Sequence, residues 1–363
     1  MKFLEDYREA KIVLGLLEEI KRIVKNDWVL MEICGGQTHA ILQFGLDQFI
    51  PENIELVHGP GCPVCVTSLE LVDKALAIAS LPNVIFTTYG DMLRVPGSSK
   101  DLFSIKARGG KVRTVYSPLD AVRIAQENPN QQVVFFAIGF ETTAPNNATS
   151  VLHAKTLNIK NYSILVSQMR VPPAMSTILS SPQHRVQGFL APGHVCSIMG
   201  SWEYDKLVDQ FRVPIVITGF EPLDLVNGIL MTIKQLETGH AEVQNAYSRV
   251  VTYNGNEAAQ EIIHKVFKSC NRQWRGIGMI PDSGWALKGE FAEFDAENRF
   301  RIGHIQTKES SICIAGEILQ GLKKPMDCIA FGTQCSPRSP LGATMVSSEG
   351  TCAAYFHYVR TRE

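Results

Sequence analysis

The run Ile54-Glu-Leu-Val-His58 is followed directly by Gly59-Pro-Gly-Cys-Pro-Val-Cys65, a change that predicts a buried strand ending in a tight turn. The same change occurs where residues 28–33 lead into Cys34-Gly-Gly-Gln-Thr-His39. Helical periodicity follows both turns. Because ligands bind beside the carboxyl ends of the strands in an open parallel sheet, the three thiols of these two turns are expected to converge.

The spacing of Cys62 and Cys65 places two thiols at a turn that opens a helix. A lone cysteine is usually a small buried hydrophobe. At the start of a helix, however, the partial positive charge stabilises a thiolate and favours metal ligation or disulfide exchange. The aromatic residue typical of thioredoxins before the first cysteine is absent. Together with Cys34, the pair indicates one metal or redox site.

Composition indicates an ordinary globular chain of 363 residues, 45% hydrophobic and 20% charged. The formal net charge of −1 gives no reason to expect nucleic acid as a partner. No run approaches the roughly 20 apolar residues that span a bilayer, and the acidic N-terminus does not resemble a signal peptide. Nine cysteines, an odd number, favour thiols, metal ligands or a redox pair in a cytoplasmic protein.

Alternating strand and helix patterns predict an α/β fold with parallel sheets. An amphipathic helix within residues 3–25 is expected to pack inside the chain. Gly-Phe-Glu follows a strand twice, at 139–141 and 219–221, which suggests two similar halves on either side of a cleft. Boundaries are expected near residues 127 and 245. The predicted strands lie near residues 28–33, 54–58, 83–88, 111–116, 131–138, 162–167, 187–191 and 213–218.

After residue 245 the pattern changes. Residues 257–268 predict a helix, and residues 270–301 read as irregular, so this part is expected to form a separate lobe. Four cysteines follow within 40 residues, a set that can hold zinc or an iron-sulfur cluster. Their spacing matches neither a zinc ribbon nor a ferredoxin, which leaves the metal open. These cysteines are Cys313, Cys328, Cys335 and Cys352.

Four polar residues at predicted strand ends are candidates for the site, each with a simpler structural role as the alternative. Glu141 lies in a loop rich in hydrogen-bonding groups and is a candidate to orient His39 or relay a proton. His39 itself is a candidate metal ligand or proton carrier beside the thiolates, with hydrogen bonding to its own loop as the alternative. His194 follows another strand and is a candidate to contribute to the cleft from the second domain. Glu221 is interpreted mainly as a helix cap.

Gly90-Asp91-Met-Leu-Arg94 is interpreted as a loop with a surface salt bridge or a cap. Neither Gly-x-Gly-x-x-Gly nor a P-loop sequence occurs, so nucleotide binding in a familiar mode is not predicted.

Five segments stand out along the chain, namely Cys34-Gly-Gly-Gln-Thr-His39, Gly59-Pro-Gly-Cys-Pro-Val-Cys65, Gly139-Phe-Glu-Thr-Thr143, Pro192-Gly-His-Val195 and Ser347-Ser-Glu-Gly350. Taken together, they resemble the HypD family of nickel-iron hydrogenase maturation proteins, nearly from end to end. The resemblance implies two similar α/β domains flanking a cleft, at residues 20–127 and 128–245, and a third, mixed domain from residues 1–19 and 246–363. It also makes Glu141 a candidate to hydrogen-bond a diatomic ligand on iron and His39 a candidate iron ligand.

The resemblance implies a scaffold on which the Fe(CN)2CO group is assembled, with Cys34 as the main iron thiolate and Cys65 as a second ligand. Cys62 and Cys65 are alternatively a redox pair. Implied partners are a HypC-type small chaperone and a HypE-type cyanide donor. Two alternatives stay open, namely a thiol-disulfide oxidoreductase that uses Cys62 and Cys65, and a zinc-binding structural protein.

The resemblance also implies a four-iron four-sulfur cluster on Cys313, Cys328, Cys335 and Cys352. Three positions depart from the family pattern. Ala315 and Thr344 stand where relatives often have further cysteines, and Cys328-Ile-Ala-Phe331 replaces Cys-Pro-Leu-Phe.

Overall fold

The computed structural model describes residues 6–360 and has two sheets, which confirms the predicted α/β class. The first sheet has five parallel strands in the order β2-β1-β7-β8-β9. Its strands are β1 (Trp28–Glu32), β2 (Ile54–His58), β7 (Gly188–Pro192), β8 (Ile215–Thr218) and β9 (Val243–Asn245).

The second sheet has six strands in the order β10-β11-β6-β5-β3-β4. Four of them are parallel, and the last two form an antiparallel hairpin that joins the sheet through β6. Its strands are β3 (Val84–Thr88), β4 (Lys111–Thr114), β5 (Gln132–Gly139), β6 (Tyr162–Met169), β10 (Phe267–Trp274) and β11 (Gly278–Leu287).

The hairpin corrects the expectation that residues 270–301 are irregular. Most side chains of β10 are exposed or half-buried, and only Phe267 and Trp274 at its ends are buried. A strand with one solvent-exposed face lacks the continuous apolar run of the buried parallel strands. The sequence pattern of this hairpin, which also has a glycine-containing turn, therefore did not predict strands. The second sheet is therefore mixed, whereas two similar parallel sheets were expected. All eight parallel strands expected before residue 220 are present within a few residues.

Side chains alternate across both sheets and bury each face in a different core. In β1, Leu30 packs with the helices on one face and Met31 with the core on the other. In β5, Val134 and Phe136 contact one core and Val133 and Phe135 the opposite one. Strands that are covered on both faces carry continuous apolar runs, which made them readable from the sequence.

Helices cover these faces between the strands. They are α1 (Ala10–Ile23), α2 (Gly35–Gln43), α3 (Pro63–Val66), α4 (Leu69–Ala79), α5 (Leu102–Ala107), α6 (Pro118–Glu127), α7 (Ala144–Thr156), α8 (Val171–Ser180), α9 (Gly193–Met199), α10 (Trp202–Phe211), α11 (Pro222–Thr238), α12 (Glu257–Val266), α13 (Ala296–Phe300), α14 (Ala315–Leu319) and α15 (Thr351–Tyr358). In the part of the chain from residue 6 to residue 360, none of the helices is both long and apolar enough to cross a bilayer.

The chain passes between the two sheets more than once. Residues 28–58 and 188–245 supply the first sheet, and residues 84–169 and 267–287 supply the second. The expected boundary near residue 127 therefore does not separate the sheets. Helix α1 packs inside the chain as predicted, since Val13, Leu17 and Ile20 lie in the core of the first sheet; residues 3–5 of its predicted span lie outside the described residues.

The C-terminal segment returns to the first sheet. Helix α15 packs on α2, so the last described residues cover the turn that begins with Cys34. This return places residues 348–358 beside the candidate site.

Candidate metal and redox site

The two cysteine turns meet at Gly61, as the strand order predicts. The N–H of Gly35 donates to the carbonyl of Gly61 at 3.2 Å. A Cβ at position 61 would overlap the Cα of Cys34 and the carbonyl oxygen of Ile33, so only glycine allows this close approach. The adjacent strands β1 and β2 thus deliver both turns to one edge of the first sheet.

The thiol of Cys34 is buried and faces an imidazole. Its Sγ lies 3.9 Å from Nδ1 of His194, which follows the neighbouring strand β7. The ring of His194 lies 5.2 Å from the ring of Phe220, in the loop after β8. Loops that follow four neighbouring strands therefore lie around this thiol. His194 lies at the site as expected, but it follows a strand of the same sheet as Cys34 and does not reach the thiol across a cleft between two sheets.

Burial favours the neutral forms of both groups. It raises the pKa of Cys34 to about 12, helped by the negative charges of Glu349 and Glu32. Burial also lowers the pKa of His194 to about 4. A neutral imidazole beside a thiol can ligate a metal or accept a proton. Ligation through Cys34 requires loss of the thiol proton, so metal binding at this position releases a proton.

Cys62 and Cys65 form a disulfide, with their Cα atoms 5.2 Å apart. Cys62 caps helix α3, and its sulfur accepts a hydrogen bond from the N–H of Cys65 at 3.2 Å. Both side chains pack in the core of the second sheet, although their turn leaves the first. The disulfide therefore lies where the two sheets meet. In this oxidised form Cys65 offers no thiolate to a metal.

His39 lies on α2 but is held by the C-terminal segment. Its Nδ1 donates to the carbonyl of Ser348 at 3.0 Å, and its Nε2 accepts from the hydroxyl of Tyr358 at 3.2 Å. His39 is thus a hydrogen-bonded histidine, as in the simpler of the two interpretations. Its partners, however, are not in its own loop but lie 309 or more residues away along the chain. The backbone of Glu349 packs against Gly35. Burial and the negative charge of Asp91 raise the pKa of the Glu349 carboxyl.

A buried network below Cys34 was missed in the sequence. Glu32, at the end of β1, accepts from the hydroxyl of Thr38 at 2.7 Å and from Nδ1 of His58. Nε2 of His58 contacts the hydroxyl of Tyr355 at 2.7 Å. Both Glu32 and His58 are buried, and the second carboxylate oxygen of Glu32 has no partner within residues 6–360. The available signal was a glutamate inside an otherwise apolar strand.

Glu141 lies at the end of β5, in the second sheet. One carboxylate oxygen accepts from the N–H of Val171 at 2.9 Å, and the other has no partner within residues 6–360. Burial, reinforced by the charge of Glu203, raises the pKa of this carboxyl to about 7. Glu141 does not orient His39, because both nitrogens of that ring are bound elsewhere.

Two other candidates have structural roles. Glu221 is the N-cap residue of α11 and forms an ion pair with Arg8, as the cap interpretation predicted. Arg94 donates to the carbonyls of Pro337 and Val346 at 3.2 Å each. The expected salt bridge or cap is therefore replaced by contacts to the C-terminal backbone.

The four C-terminal cysteines converge on one small cavity of about 20 Å³. Ala315 and Thr344, which stand where relatives often have cysteines, line the same cavity, and the Thr344 hydroxyl donates to Cys352 at 3.2 Å. Four thiols are a suitable donor set for an iron-sulfur cluster. The cavity has room for about one water molecule, so a cluster requires the lining to move apart.

No compact single-ion site accompanies these thiols. Among residues 6–360, no three His, Cys, Asp or Glu side chains lie close enough together to hold one metal ion.

A cleft of about 310 Å³ connects the disulfide with this cavity. Its lining includes both Cys65 and Cys313. Consecutive residues contact the two sulfurs, since the carbonyl of Ala343 lies 3.9 Å from Sγ of Cys65 and a Cβ at Gly342 would lie 2.5 Å from Sγ of Cys313. The sequence placed these cysteines 248 residues apart along the chain, whereas the fold makes them neighbours.

The fold and site define a class of protein, an α/β protein that holds a buried thiol, a disulfide and a four-cysteine cavity along one path. A family model described as "HypD: Hydrogenase formation hypA family" matches residues 11–359. Since the match covers almost the whole chain, the protein belongs to the HypD family of hydrogenase maturation factors.

Full-length relatives support this assignment. The chain is 43% identical to hydrogenase maturation factor HypD of Escherichia coli, over 99% of this chain and 98% of that protein. It is 44% identical to hydrogenase maturation factor HypD of Azotobacter vinelandii, over 100% of this chain and 98% of that protein. Hydrogenase maturation factor HypD2 of Bradyrhizobium diazoefficiens is 43% identical, with the same coverage.

Proposed function

We propose that this chain acts in the maturation of nickel-iron hydrogenases, as the scaffold that holds iron while carbon monoxide and cyanide are attached to it. The observation that carries the proposal is the enclosure of the Cys34 thiol by four strand-end loops, with His194 at 3.9 Å. Membership of the HypD family supports the same interpretation. The iron is cargo, bound for a time and then passed on.

Cys34 is the residue proposed to hold the iron. Thiolates are soft ligands that suit iron carrying diatomic ligands. The enclosure keeps water from the thiol, and the neutral ring of His194, at 3.9 Å, can offer a nitrogen to the iron or a hydrogen bond to the thiolate. Glu349 and Asp91 lie nearby, so a cation at Cys34 would also offset the mutual repulsion of their negative charges.

The Cys62–Cys65 disulfide is proposed to control the site by its oxidation state. In the dithiol form, Cys65 becomes available as a second thiolate ligand. The turn that carries the pair contacts the backbone of Cys34 at Gly61. A shift of this turn on reduction would therefore also shift the thiol proposed to hold the iron.

The four C-terminal cysteines are proposed to hold a four-iron four-sulfur cluster, which supplies electron transfer when bound. The chain places this cavity close to the disulfide, because Cys65 and Cys313 line one cleft and contact the consecutive residues Ala343 and Gly342. Proposed partners are a HypC-type chaperone, which shares the iron with Cys34, and a HypE-type cyanide donor, in the cytoplasm.

Iron content tests the proposal. The chain is co-produced with its HypC-type partner in cells that mature hydrogenase, and the complex is purified without oxygen. We expect loss of the cargo iron in Cys34→Ser and its retention in Cys196→Ser, a matched control that is also buried. Equal iron in both variants, after subtraction of cluster iron, would exclude Cys34 as the holder.

A second function is favoured by one observation, the disulfide itself. A thiol-disulfide oxidoreductase that uses Cys62 and Cys65 alone predicts full maturation activity in Cys34→Ser. The scaffold predicts none, so hydrogenase activity in a complemented strain distinguishes the two.

A further inference from the structure

A basic hollow lies at the outer end of the disulfide cleft. Its volume is about 740 Å³, and its lining contains six basic and two acidic side chains, a net charge of +4 in a chain whose total is −1. The basic residues are Arg94, Lys100, Arg108, Arg275, Lys308 and Arg338. Such a concentration of one sign attracts anions.

Both acidic groups of the hollow are already engaged. Glu309 accepts two hydrogen bonds from Arg275, at 2.8 and 3.0 Å, and Asp101 accepts from the N–H of Ser104 in the first turn of α5. Arg94 binds backbone carbonyls. The four other basic side chains, Lys100, Arg108, Lys308 and Arg338, are exposed and form no ion pair with any described carboxylate, so they are available to an anionic ligand.

The hollow leads to one sulfur of the disulfide. Arg275, Glu309 and Ser310 line both the hollow and the cleft that reaches Cys65. Cys62 does not line this cleft, so a reagent that enters through the hollow meets Cys65 first. If Cys65 is attacked, the sulfur that leaves is Cys62, and it already accepts a hydrogen bond from the N–H of Cys65. A hydrogen bond to a thiolate stabilises it as a leaving group.

We propose that this hollow binds the carboxylates of a low-molecular-weight thiol, which reduces the Cys62–Cys65 disulfide through the cleft. The proposal rests on the proposed function only in taking the dithiol as the working form. Two or more carboxylates match the four available cations, and guanidinium groups such as those of Arg108 and Arg338 bind carboxylates in pairs of hydrogen bonds.

The chemistry balances without another reactant. The thiolate of the first molecule attacks Sγ of Cys65, the Cys62–Cys65 bond breaks, and Cys62 leaves as a thiolate. A second thiolate attacks the sulfur of the first molecule, which releases Cys65 as a thiolate and forms the disulfide of the small thiol. Two small thiols are oxidised by two electrons in total, and their two protons pass to Cys62 and Cys65.

Reduction rates with thiols of different charge test the proposal. The chain with its disulfide intact is treated with glutathione, 2-mercaptoethanol or cysteamine, and each rate is divided by that thiol's rate with a small neutral disulfide. Alkylation followed by mass spectrometry of the peptide that contains Cys62 and Cys65 reports the dithiol. We expect the anionic glutathione to exceed the neutral thiol by about tenfold, a preference that high salt removes.

Charge-neutralising variants locate the effect. In the double variant Lys100→Gln/Arg338→Gln the preference for glutathione should vanish, while the rate with 2-mercaptoethanol and the Tm stay the same. Lys206→Gln, which removes an exposed cation of α10 outside the hollow, should keep the preference. No preference in the native chain, or its survival in the double variant, overturns the proposal. Iron content of the complex is measured separately, so failure of the reductant site and failure of the scaffold are distinguishable.

Discussion

At the scale of single residues, burial decides the chemistry. Cys34, Glu141 and His194 are ordinary titratable groups. The exclusion of water favours their neutral forms, because it raises the pKa of Cys34 and Glu141 and lowers that of His194. Their placement at strand ends was predictable from the sequence. Their neutrality was not, because it depends on segments such as Glu349 and Phe220 that are distant in the sequence and come together only in the fold.

The pH dependence of Glu141 gives a first prediction. Its pKa is about 7 in the folded chain and near 4.5 when exposed, so between these values the folded state binds the extra proton. Stability is therefore lost as pH rises from about 4.5 through 7. Glu141→Gln keeps an oxygen for the N–H of Val171 and removes the charge. We expect the free energy of unfolding of this variant to exceed that of the native chain at pH 8 by on the order of 1 kcal/mol or more, seen as a higher Tm, and by much less at pH 5. The same difference at both pH values would contradict the raised pKa.

Among the elements, the contact between two turns carries most of the site. Sequence patterns identified β1 and β2, yet the pairing that brings Gly61 onto Cys34 follows from the parallel register. The hairpin of β10 and β11 was missed for the opposite reason, since its exposed face hides the strand pattern.

Gly61→Ala tests the close approach of the turns. The added Cβ would overlap the backbone at Ile33 and Cys34, and backbone cannot move aside cheaply. We expect a loss of about 2 kcal/mol or more in the free energy of unfolding, measured by urea denaturation. Gly15→Ala in α1 is the control, because no atom lies within 4 Å of its new Cβ. It should be neutral or stabilise slightly. A harmless Gly61→Ala would mean that the turns are not in contact.

Tyr355→Phe tests the buried link between helix α15 and the first sheet. Removal of the hydroxyl leaves Nε2 of His58 without its hydrogen-bond partner at a buried position. We expect a loss of about 1–3 kcal/mol, seen as a lower Tm. Tyr358→Phe is the comparison, since its partner His39 is only half-buried and water can replace the lost bond. Equal effects would contradict a buried network.

At the scale of the whole molecule, the return of the C-terminus unites features that the sequence keeps apart. The linear order suggested two halves followed by a cysteine-bearing lobe. Instead, residues 313–360 lie beside both the disulfide and Cys34. The pairing of strands from distant segments produces no periodic pattern in the sequence. Sequence patterns therefore predicted the strands, the helices and the candidate thiols, but not which of them lie next to each other in the fold.

The four-cysteine cavity gives a whole-molecule prediction. After anaerobic reconstitution with iron and sulfide, the chain should show the broad visible absorption of an iron-sulfur cluster. Cys335→Ser should lose it, because Cys335 lines the cavity. Cys270→Ser should keep it, because Cys270 lies on the hairpin strand β10 and does not line that cavity. Identical spectra in the two variants would exclude a cluster held by these thiols.

The most direct measurement is the infrared spectrum of the chain purified without oxygen together with its HypC-type partner. We expect carbon monoxide and cyanide stretching bands in the native complex, their absence in Cys34→Ala, and their presence in Cys270→Ala. Bands of equal strength in Cys34→Ala would contradict the central claim that this buried thiol holds the iron.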